Sequence, residues 1–327
     1  MRLPRSAALC LPAAALALPA TASAAGFKDR VLTGAVKAHA AQAPGSTTAR
    51  YPTADGKTIE VTAADPAIAQ QYATLVGTFP HGDEISALKM VVVAADKVNS
   101  ECGGTDGDGI LACYSSDDQT MIVPDSQATG SDVSVDYVIA HEYGHHIAAH
   151  RSNAPLEALD FGPKRWSSYE LVCSNTLDGK LAPGDEGANY LANPGEAWAE
   201  TYARLIYPTE AWRFTSLLKP TGGSFLSAQA DVSEPWTQRT SQTFTGTGSQ
   251  SFKLPLTLDG AFTVQIDKPG YQLVVKSGGK VIDRTDNKRI HYRIACRDRR
   301  TENLTLKVIK RAGTTSKNYS LKASYAG

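Results

Sequence analysis

Residues 138–146 read VIAHEYGHH and place the pattern H-E-x-x-H within a run of helical periodicity. On an α-helix, His141 and His145 lie one turn apart and about 40° apart around the axis, which suits a shared tetrahedral Zn²⁺. Glu142 lies beside them, in position to deprotonate a zinc-bound water. This is the residue set of a zinc-dependent hydrolase of peptide bonds.

The residues around this pattern favour a buried helix. Ser131 or Asp132 can cap its start. An apolar stripe for burial against a core is formed by Val135, Val138, Ile139 and Ile147. The alternative is a buried helix whose histidines are only hydrogen-bonded. That alternative does not explain why Glu142, a charged residue, lies on a mostly apolar helix.

The residues after the pattern exclude one type of third ligand. A metzincin-type extension requires Gly three residues after the second ligand and His six residues after it, but these positions hold Ala148 and Arg151. His146 and His150 form a second i,i+4 pair, rotated about 140° from His141. Because this pair lacks the intervening Glu, we interpret it as ordinary polar helix positions or as residues that flank the site.

A second helix is predicted at residues 193–205, which read NPGEAWAETYARL. Asn193 is a good N-cap and Pro194 suits the first helical position. Glu196 and Glu200 share one face, where two like charges cost a few tenths of a kcal/mol unless a cation or a hydrogen-bond donor lies beside them. Alternatively, Glu196 is only the acidic partner of a capping box. The predicted core-facing residues are Trp198, Tyr202 and Leu205.

These two segments resemble the gluzincin clan of metallopeptidases, the thermolysin-like and lethal-factor-like enzymes. In those families, H-E-x-x-H on one helix is completed by a Glu from a later helix, and another acid four residues on supports a ligand histidine. The resemblance implies that His141, His145 and Glu196 are the metal ligands. It also implies that Glu142 is the general base and that Glu200 is the supporting acid.

The resemblance further implies an α+β zincin-like catalytic domain, with a sheet beside the H-E-x-x-H helix and the Glu-bearing helix. Strands are predicted at residues 88–94, 110–114 and 119–124. One edge of such a sheet lines the substrate cleft, where a bound peptide would add a strand. Tyr190 is a candidate donor to the oxyanion, because the lethal-factor-like enzymes place a tyrosine near that point.

The run from residue 141 to residue 200 also resembles a group of actinobacterial proteins predicted to be secreted peptidases, including GPKRW at 162–166. The aromatic residues Trp166 and Trp198 are interpreted as core residues rather than pocket residues. The spacing of about fifty residues between the two helices differs from that of thermolysin. Loop and subsite geometry is therefore not carried over from that enzyme.

The N-terminus predicts export. MRLPR precedes an Ala/Leu-rich run and then TASAA, which is typical of a secretory signal peptide over residues 1–25. No later stretch is apolar enough to span a bilayer, so no transmembrane segment is expected. Residues 26–65 are predicted to be an N-terminal segment or a propeptide. Within them, Asp55-Gly56 signals a hairpin.

Four cysteines remain after Cys10 leaves with the signal peptide, and an even number in an oxidising compartment predicts two disulfides. Three pairings are possible. The short turn-rich loop between Cys102 and Cys113 favours that pair, which would leave Cys173 with Cys296.

The C-terminal region predicts a separate basic domain. A metallopeptidase domain at 66–235 is followed by a Thr/Ser/Gly-rich linker at 236–251 and by short alternating runs over 252–327 that predict an all-β sandwich. Residues 236–327 hold 17 Lys and Arg against 6 Asp and Glu, a net charge of +11. Such a domain suits an anionic cell-wall or extracellular polymer, or docks on the acidic catalytic domain.

Zn²⁺ is the predicted cofactor, and a Ca²⁺ loop is a further candidate despite the lack of EF-hand spacing. The acids considered for calcium are Asp106, Asp108, Asp117 and Asp118. The predicted function is that of a secreted zinc metalloendopeptidase acting on a polypeptide substrate. The alternatives are a zinc amide hydrolase acting on cell-wall peptides and a non-catalytic, zinc-containing wall-binding protein. Glu142 argues against the non-catalytic alternative.

Overall fold

A computed structural model describes residues 27–32, 45–237, 239–300 and 302–327. The predicted signal peptide lies outside the described residues. Within them, a mixed α/β domain with a six-stranded sheet comes first, and two antiparallel four-stranded sheets follow. The predicted fold class, an α+β domain carrying the two motif helices followed by an all-β sandwich, is therefore confirmed.

The sheet of the α/β domain combines parallel and antiparallel strands. They are β1 (Arg30–Leu32), β2 (Thr47–Pro52), β3 (Thr58–Ala63), β4 (Lys89–Val93), β5 (Cys113–Ser115) and β6 (Thr120–Pro124). Their spatial order is β1-β5-β6-β4-β3-β2. β4 pairs in parallel with β3 and β6, and β1 pairs in parallel with β5. The β2–β3 and β5–β6 pairs are antiparallel.

The segment predicted as residues 26–65 contributes to both edges of this sheet. β2 and β3 form the hairpin expected at Asp55-Gly56, and Gly56 has a φ of +83°, which only glycine adopts without strain. Ile59 and Val61 of β3 are fully buried beside β4. This hairpin is therefore built into the sheet, whereas β1 lies at the opposite edge and pairs with β5 alone.

The helices of this domain pack on the sheet or on one another. They are α1 (Pro66–Val76), α2 (Val98–Glu101), α3 (Val135–Ala149), α4 (Ala158–Phe161), α5 (Lys164–Tyr169), α6 (Val172–Leu177), α7 (Pro194–Ile206) and α8 (Gly222–Ser233). Every residue of α3 from Tyr137 to Ala148 is buried, so the helix has no solvent-facing side along this length.

The N-cap of α3 differs from the sequence prediction. Ser134 caps the helix, and its side chain accepts a hydrogen bond from the Tyr137 backbone N–H. Ser131 instead accepts from the Val133 N–H at 3.1 Å, in a turn before the helix. The prediction of Ser131 or Asp132 is wrong because this local turn delays the start of the helix.

The C-terminal sheets face each other as a sandwich. Their strands are β7 (Arg239–Thr247), β8 (Gln250–Leu256), β9 (Gly260–Ile266), β10 (Tyr271–Ser277), β11 (Lys280–Thr285), β12 (Arg289–Ala295), β13 (Glu302–Lys310) and β14 (Asn318–Ala326). The strand orders are β11-β10-β13-β8 and β12-β9-β14-β7. Alternate residues point inward, as Phe262, Val264 and Ile266 do in β9.

The predicted linker at 236–251 is largely a strand. β7 pairs with β14 along its full length, from Arg239 opposite Ala326 to Thr247 opposite Asn318. Most of its side chains are exposed because β7 lies at the edge of its sheet. An exposed Thr-rich edge strand has the composition of a linker, which explains the difference.

The sandwich contacts the α/β domain through buried charged groups. Lys164 donates to the backbone oxygens of Asn153, Ala154 and Asp259 at 2.7 to 3.1 Å. Arg297 pairs with Asp259 at 3.2 Å and also donates to the Ser168 oxygen. Residues 297–300 are the densest basic patch of the sequence. Arg297 of this patch lies in the interface rather than in solvent.

Two disulfides are present, and both follow the favoured pairing. Cys102 bonds to Cys113 with a Cα–Cα distance of 5.8 Å, and Cys173 bonds to Cys296 at 5.3 Å. The second disulfide joins α6 to the sandwich. In the part of the chain that the structure describes, no helix has the length and apolarity needed to cross a membrane.

Candidate metal centre

α3 directs two imidazoles toward one point in the core. His141 and His145 lie on successive turns, with ring centroids 5.1 Å apart, and neither is exposed. The two histidines therefore share one face of α3, as their i,i+4 spacing predicted.

α7 brings two acids to the same point by packing closely on α3. A Cβ on Gly144 would lie 2.8 Å from the Cα of Ala199, so only glycine fits at this crossing. The Trp198 indole N–H donates to the Gly144 carbonyl oxygen at 2.8 Å and fixes the same contact. Trp166 packs edge-on against Trp198, and both are fully buried, as predicted for core residues.

The two acids of α7 contact the histidines in different ways. Glu196 Oε2 lies 3.2 Å from His141 Nε2 and 3.5 Å from His145 Nε2. Glu200 Oε2 lies 3.3 Å from His141 Nδ1, on the opposite side of that ring, and Glu200 Oε1 accepts from Arg213 at 3.2 Å. The structure thus brings together the residues that the sequence proposed as ligands and supporting acid.

A further carboxylate, Asp29, also reaches this point and was not predicted. Asp29 Oδ2 lies 3.1 Å from His145 Nε2 and 3.3 Å from His141 Nε2. Its side chain is fully buried. The sequence indicated only that Asp29 lies in the predicted N-terminal segment or propeptide. That position does not distinguish Asp29 from other acids as a metal ligand.

Asp29, His141, His145 and Glu196 form a buried group that could hold a metal ion, with ligand atoms within 4.8 Å of one another. The four imidazole–carboxylate separations are 3.1 to 3.5 Å. A tetrahedral ion with ligands at about 2.0 to 2.1 Å has edges of roughly 3.3 Å. These four separations are compatible with a tetrahedral metal ion bound by two nitrogen and two oxygen donors.

The electrostatics of the group favour a bound positive charge. Burial opposes protonation of His145, but the charges and hydrogen bonds of Glu196 and Asp29 outweigh it and raise the pKa of His145 to about 10. Burial likewise opposes ionisation of Asp29, yet His141 and His145 hold the pKa of Asp29 well below its usual range. The carboxylates therefore stabilise positive charge at this point.

Glu142 lies in the same buried region without a partner. Both of its carboxylate oxygens are buried and lack a hydrogen bond among the described residues. Burial, followed by the charge of Asp29, raises the pKa of Glu142 well above its usual range. An unpaired buried carboxyl lowers stability, so packing alone does not explain Glu142 at this position.

Tyr190 reaches the centre from a short 3-10 helix, Tyr190–Ala192. Its hydroxyl donates to Asp29 Oδ1. Tyr190 therefore lies beside the metal group, and its role toward an oxyanion stays a prediction.

The remaining candidates lie away from the centre. His146 is bonded to the Glu84 oxygen at 2.8 Å and to the Tyr114 hydroxyl at 3.1 Å, on another side of α3. Burial lowers the pKa of His146 to about 4, so this ring is neutral and structural. The acids considered for calcium, Asp106, Asp108, Asp117 and Asp118, do not gather into a comparable group within the described ranges.

Comparisons with known proteins do not identify a family for this chain. No protein-family model matches the chain, and no curated protein matches it. Among solved structures, the chain is similar to PliG of Aeromonas hydrophila, a periplasmic lysozyme inhibitor of g-type lysozyme. That match has 16% identity, covers 27% of this chain and 83% of PliG, and has a TM-score of 0.20.

Proposed function

We propose that the protein is a secreted zinc-dependent metalloendopeptidase, with His141, His145 and Glu196 as zinc ligands and Glu142 as general base. The observation that carries this proposal is the convergence of these ligands beside a buried acid that has no hydrogen-bond partner among the described residues. The predicted signal peptide and the two disulfides support secretion into an oxidising compartment.

Each side chain has a defined task in this proposal. Zinc bound here would polarise the scissile carbonyl and acidify the attacking water. Glu142 would take the proton from that water and return it to the leaving amine. Glu200 bonds to His141 Nδ1 and so fixes the ring with Nε2 toward the centre.

The ligand set is tested by metal analysis of purified protein. We expect near-stoichiometric zinc by mass spectrometry in the wild type and in Glu142→Gln, and a large loss in His145→Ala and Glu196→Ala. Glu234→Ala, at an exposed acid on the surface, is the matched control and should retain zinc. Unchanged zinc in Glu196→Ala would place the third ligand elsewhere.

The reaction is tested by cleavage of a peptide library. Because Asp29 occupies a position beside the ligands, the assay includes both the wild type and Asp29→Ala. Glu142→Gln, made in the more active of the two, should lower turnover by about 10²- to 10⁴-fold while zinc is retained. Zinc without cleavage in either background would contradict the peptidase proposal.

The charge of the sandwich supports a related candidate, a zinc amide hydrolase directed to cell-wall peptides. The net charge of +11 over residues 236–327 suits an anionic wall polymer. A muropeptide digest beside the peptide library would separate the two substrate classes. Retention of the full chain on teichoic acid at low salt, and release at high salt, would support the wall-directed candidate.

A further inference from the structure

The centre is covered by residues 27–32, which come from the segment before the sheet hairpin. The Phe27 ring lies 4.7 Å from the His141 ring, centroid to centroid, and Asp29 touches both imidazoles. The side chains beneath this segment are 0% exposed, namely His141, Glu142, His145 and Glu196. In this state none of these side chains is accessible to a substrate.

Asp29 uses both oxygens at the centre. Oδ2 faces the two imidazole nitrogens, and Oδ1 accepts from the Tyr190 hydroxyl. Catalytic zinc sites have three protein ligands and an open position, whereas structural sites have four. With a metal bound, Asp29 would therefore close a three-ligand arrangement, and it also engages the candidate oxyanion donor.

The rest of the segment is attached by a few contacts at the rim. Arg30 donates to the Gly103 oxygen at 2.9 Å, and the Val31 N–H donates to Glu186 at 3.3 Å. The Leu111 N–H donates to the Lys28 oxygen at 2.9 Å. β1 pairs only with β5, so its departure would leave the other five strands of the sheet paired.

β1 also occupies the sheet edge nearest the centre, because it begins directly after Asp29. A peptide bound in the cleft was expected to add a strand to the sheet, and β1 adds one to β5, with Arg30 opposite Cys113. The chain's own segment thus occupies this edge and would also supply a fourth ligand to a bound metal.

We propose that Asp29 is a displaceable fourth metal ligand that keeps the enzyme latent, and that detachment of residues 27–32 opens the site. This inference rests on the proposed function. It differs from a permanent structural role for Asp29, in which loss of the carboxylate would lower metal binding without opening a position.

The test uses the full chain with Co²⁺ in place of zinc and acetohydroxamate as the probe, followed by visible absorption. Asp29→Ala should bind acetohydroxamate at least about tenfold more tightly than the wild type, because a coordination position is free. Zinc should pass to a chelator faster from Asp29→Ala, while peptide cleavage per bound zinc rises at least about tenfold. Asp96→Ala, at a side chain 74% exposed, is the matched control and should behave as the wild type.

A second variant keeps Asp29 and weakens the attachment of residues 27–32. Arg30→Ala removes the contacts to the Cys102 and Gly103 oxygens and should give an intermediate gain in acetohydroxamate binding. It also serves as the test if Asp29→Ala does not fold.

The outcomes separate the two proposals. Unchanged acetohydroxamate binding in both variants, or weaker metal binding in Asp29→Ala with no gain in probe binding or cleavage, would overturn the latency proposal. Tighter probe binding without cleavage of any peptide would support Asp29 as a displaceable ligand and contradict the peptidase function.

Discussion

Gly144 of α3 and Ala199 of α7 lie in direct contact, so close that a Cβ on Gly144 would lie 2.8 Å from the Cα of Ala199. This crossing sets the distance between the histidines of α3 and the acids of α7. The geometry of the centre therefore depends on a glycine that itself bonds no metal.

Gly144→Ala should destabilise the protein and weaken metal binding together. The new methyl group forces the helices apart, at a cost of about 1 to 3 kcal/mol for overpacking. Urea unfolding and zinc content measure the two effects. Gly222→Ala, at the start of α8 where a Cβ meets nothing within 4 Å, is the control and should change neither. Normal zinc binding in Gly144→Ala would show that the centre tolerates a wider crossing.

Glu200→Gln should lower zinc affinity by roughly 10- to 100-fold, because Glu200 holds His141 through Nδ1. Competition with a fluorescent zinc chelator measures this change. Glu234→Gln on the surface should leave the affinity unchanged. If Glu200→Gln bound zinc as tightly as the wild type, the orientation of His141 would come from packing alone.

Tyr190→Phe should slow cleavage in an Asp29→Ala background, where the hydroxyl no longer bonds to the aspartate. Loss of one donor to an oxyanion costs about 10²- to 10³-fold in kcat. Steady-state kinetics on a single peptide separates this effect from KM. Full turnover in this double variant, with turnover lost in Glu142→Ala, would remove the tyrosine from the mechanism.

Arg297→Met should destabilise the protein while the zinc content stays normal. The change leaves Asp259 buried without its 3.2 Å partner, and breaking a buried pair costs about 3 to 5 kcal/mol. Chemical unfolding measures the loss. Arg299→Met, at a side chain 73% exposed, should change stability by less than about 0.5 kcal/mol. Equal stability of the two variants would mean that the interface does not depend on this pair.

The two motif helices could be predicted because their signals are local. The i,i+4 spacing of His141 and His145, and the Asn193-Pro194 start of α7, depend on residues within one or two turns. The same holds for the Asp55-Gly56 hairpin. The prediction of a linker at 236–251 was wrong for β7, because an exposed, Thr-rich composition is common to linkers and to edge strands.

The sequence by itself thus determined the helix that carries both histidines, the helix that carries Glu196 and Glu200, the α/β-then-β order of the chain and the favoured disulfide pairing. Only the tertiary structure decided that Asp29 contacts His145, which is 116 residues away in the sequence, and that Arg297 lies in the interface between the two domains. Contacts of this kind depend on how separate elements pack, and no short-range periodicity records that packing. For that reason the buried group of Asp29, His141, His145 and Glu196 could be found only in the folded chain.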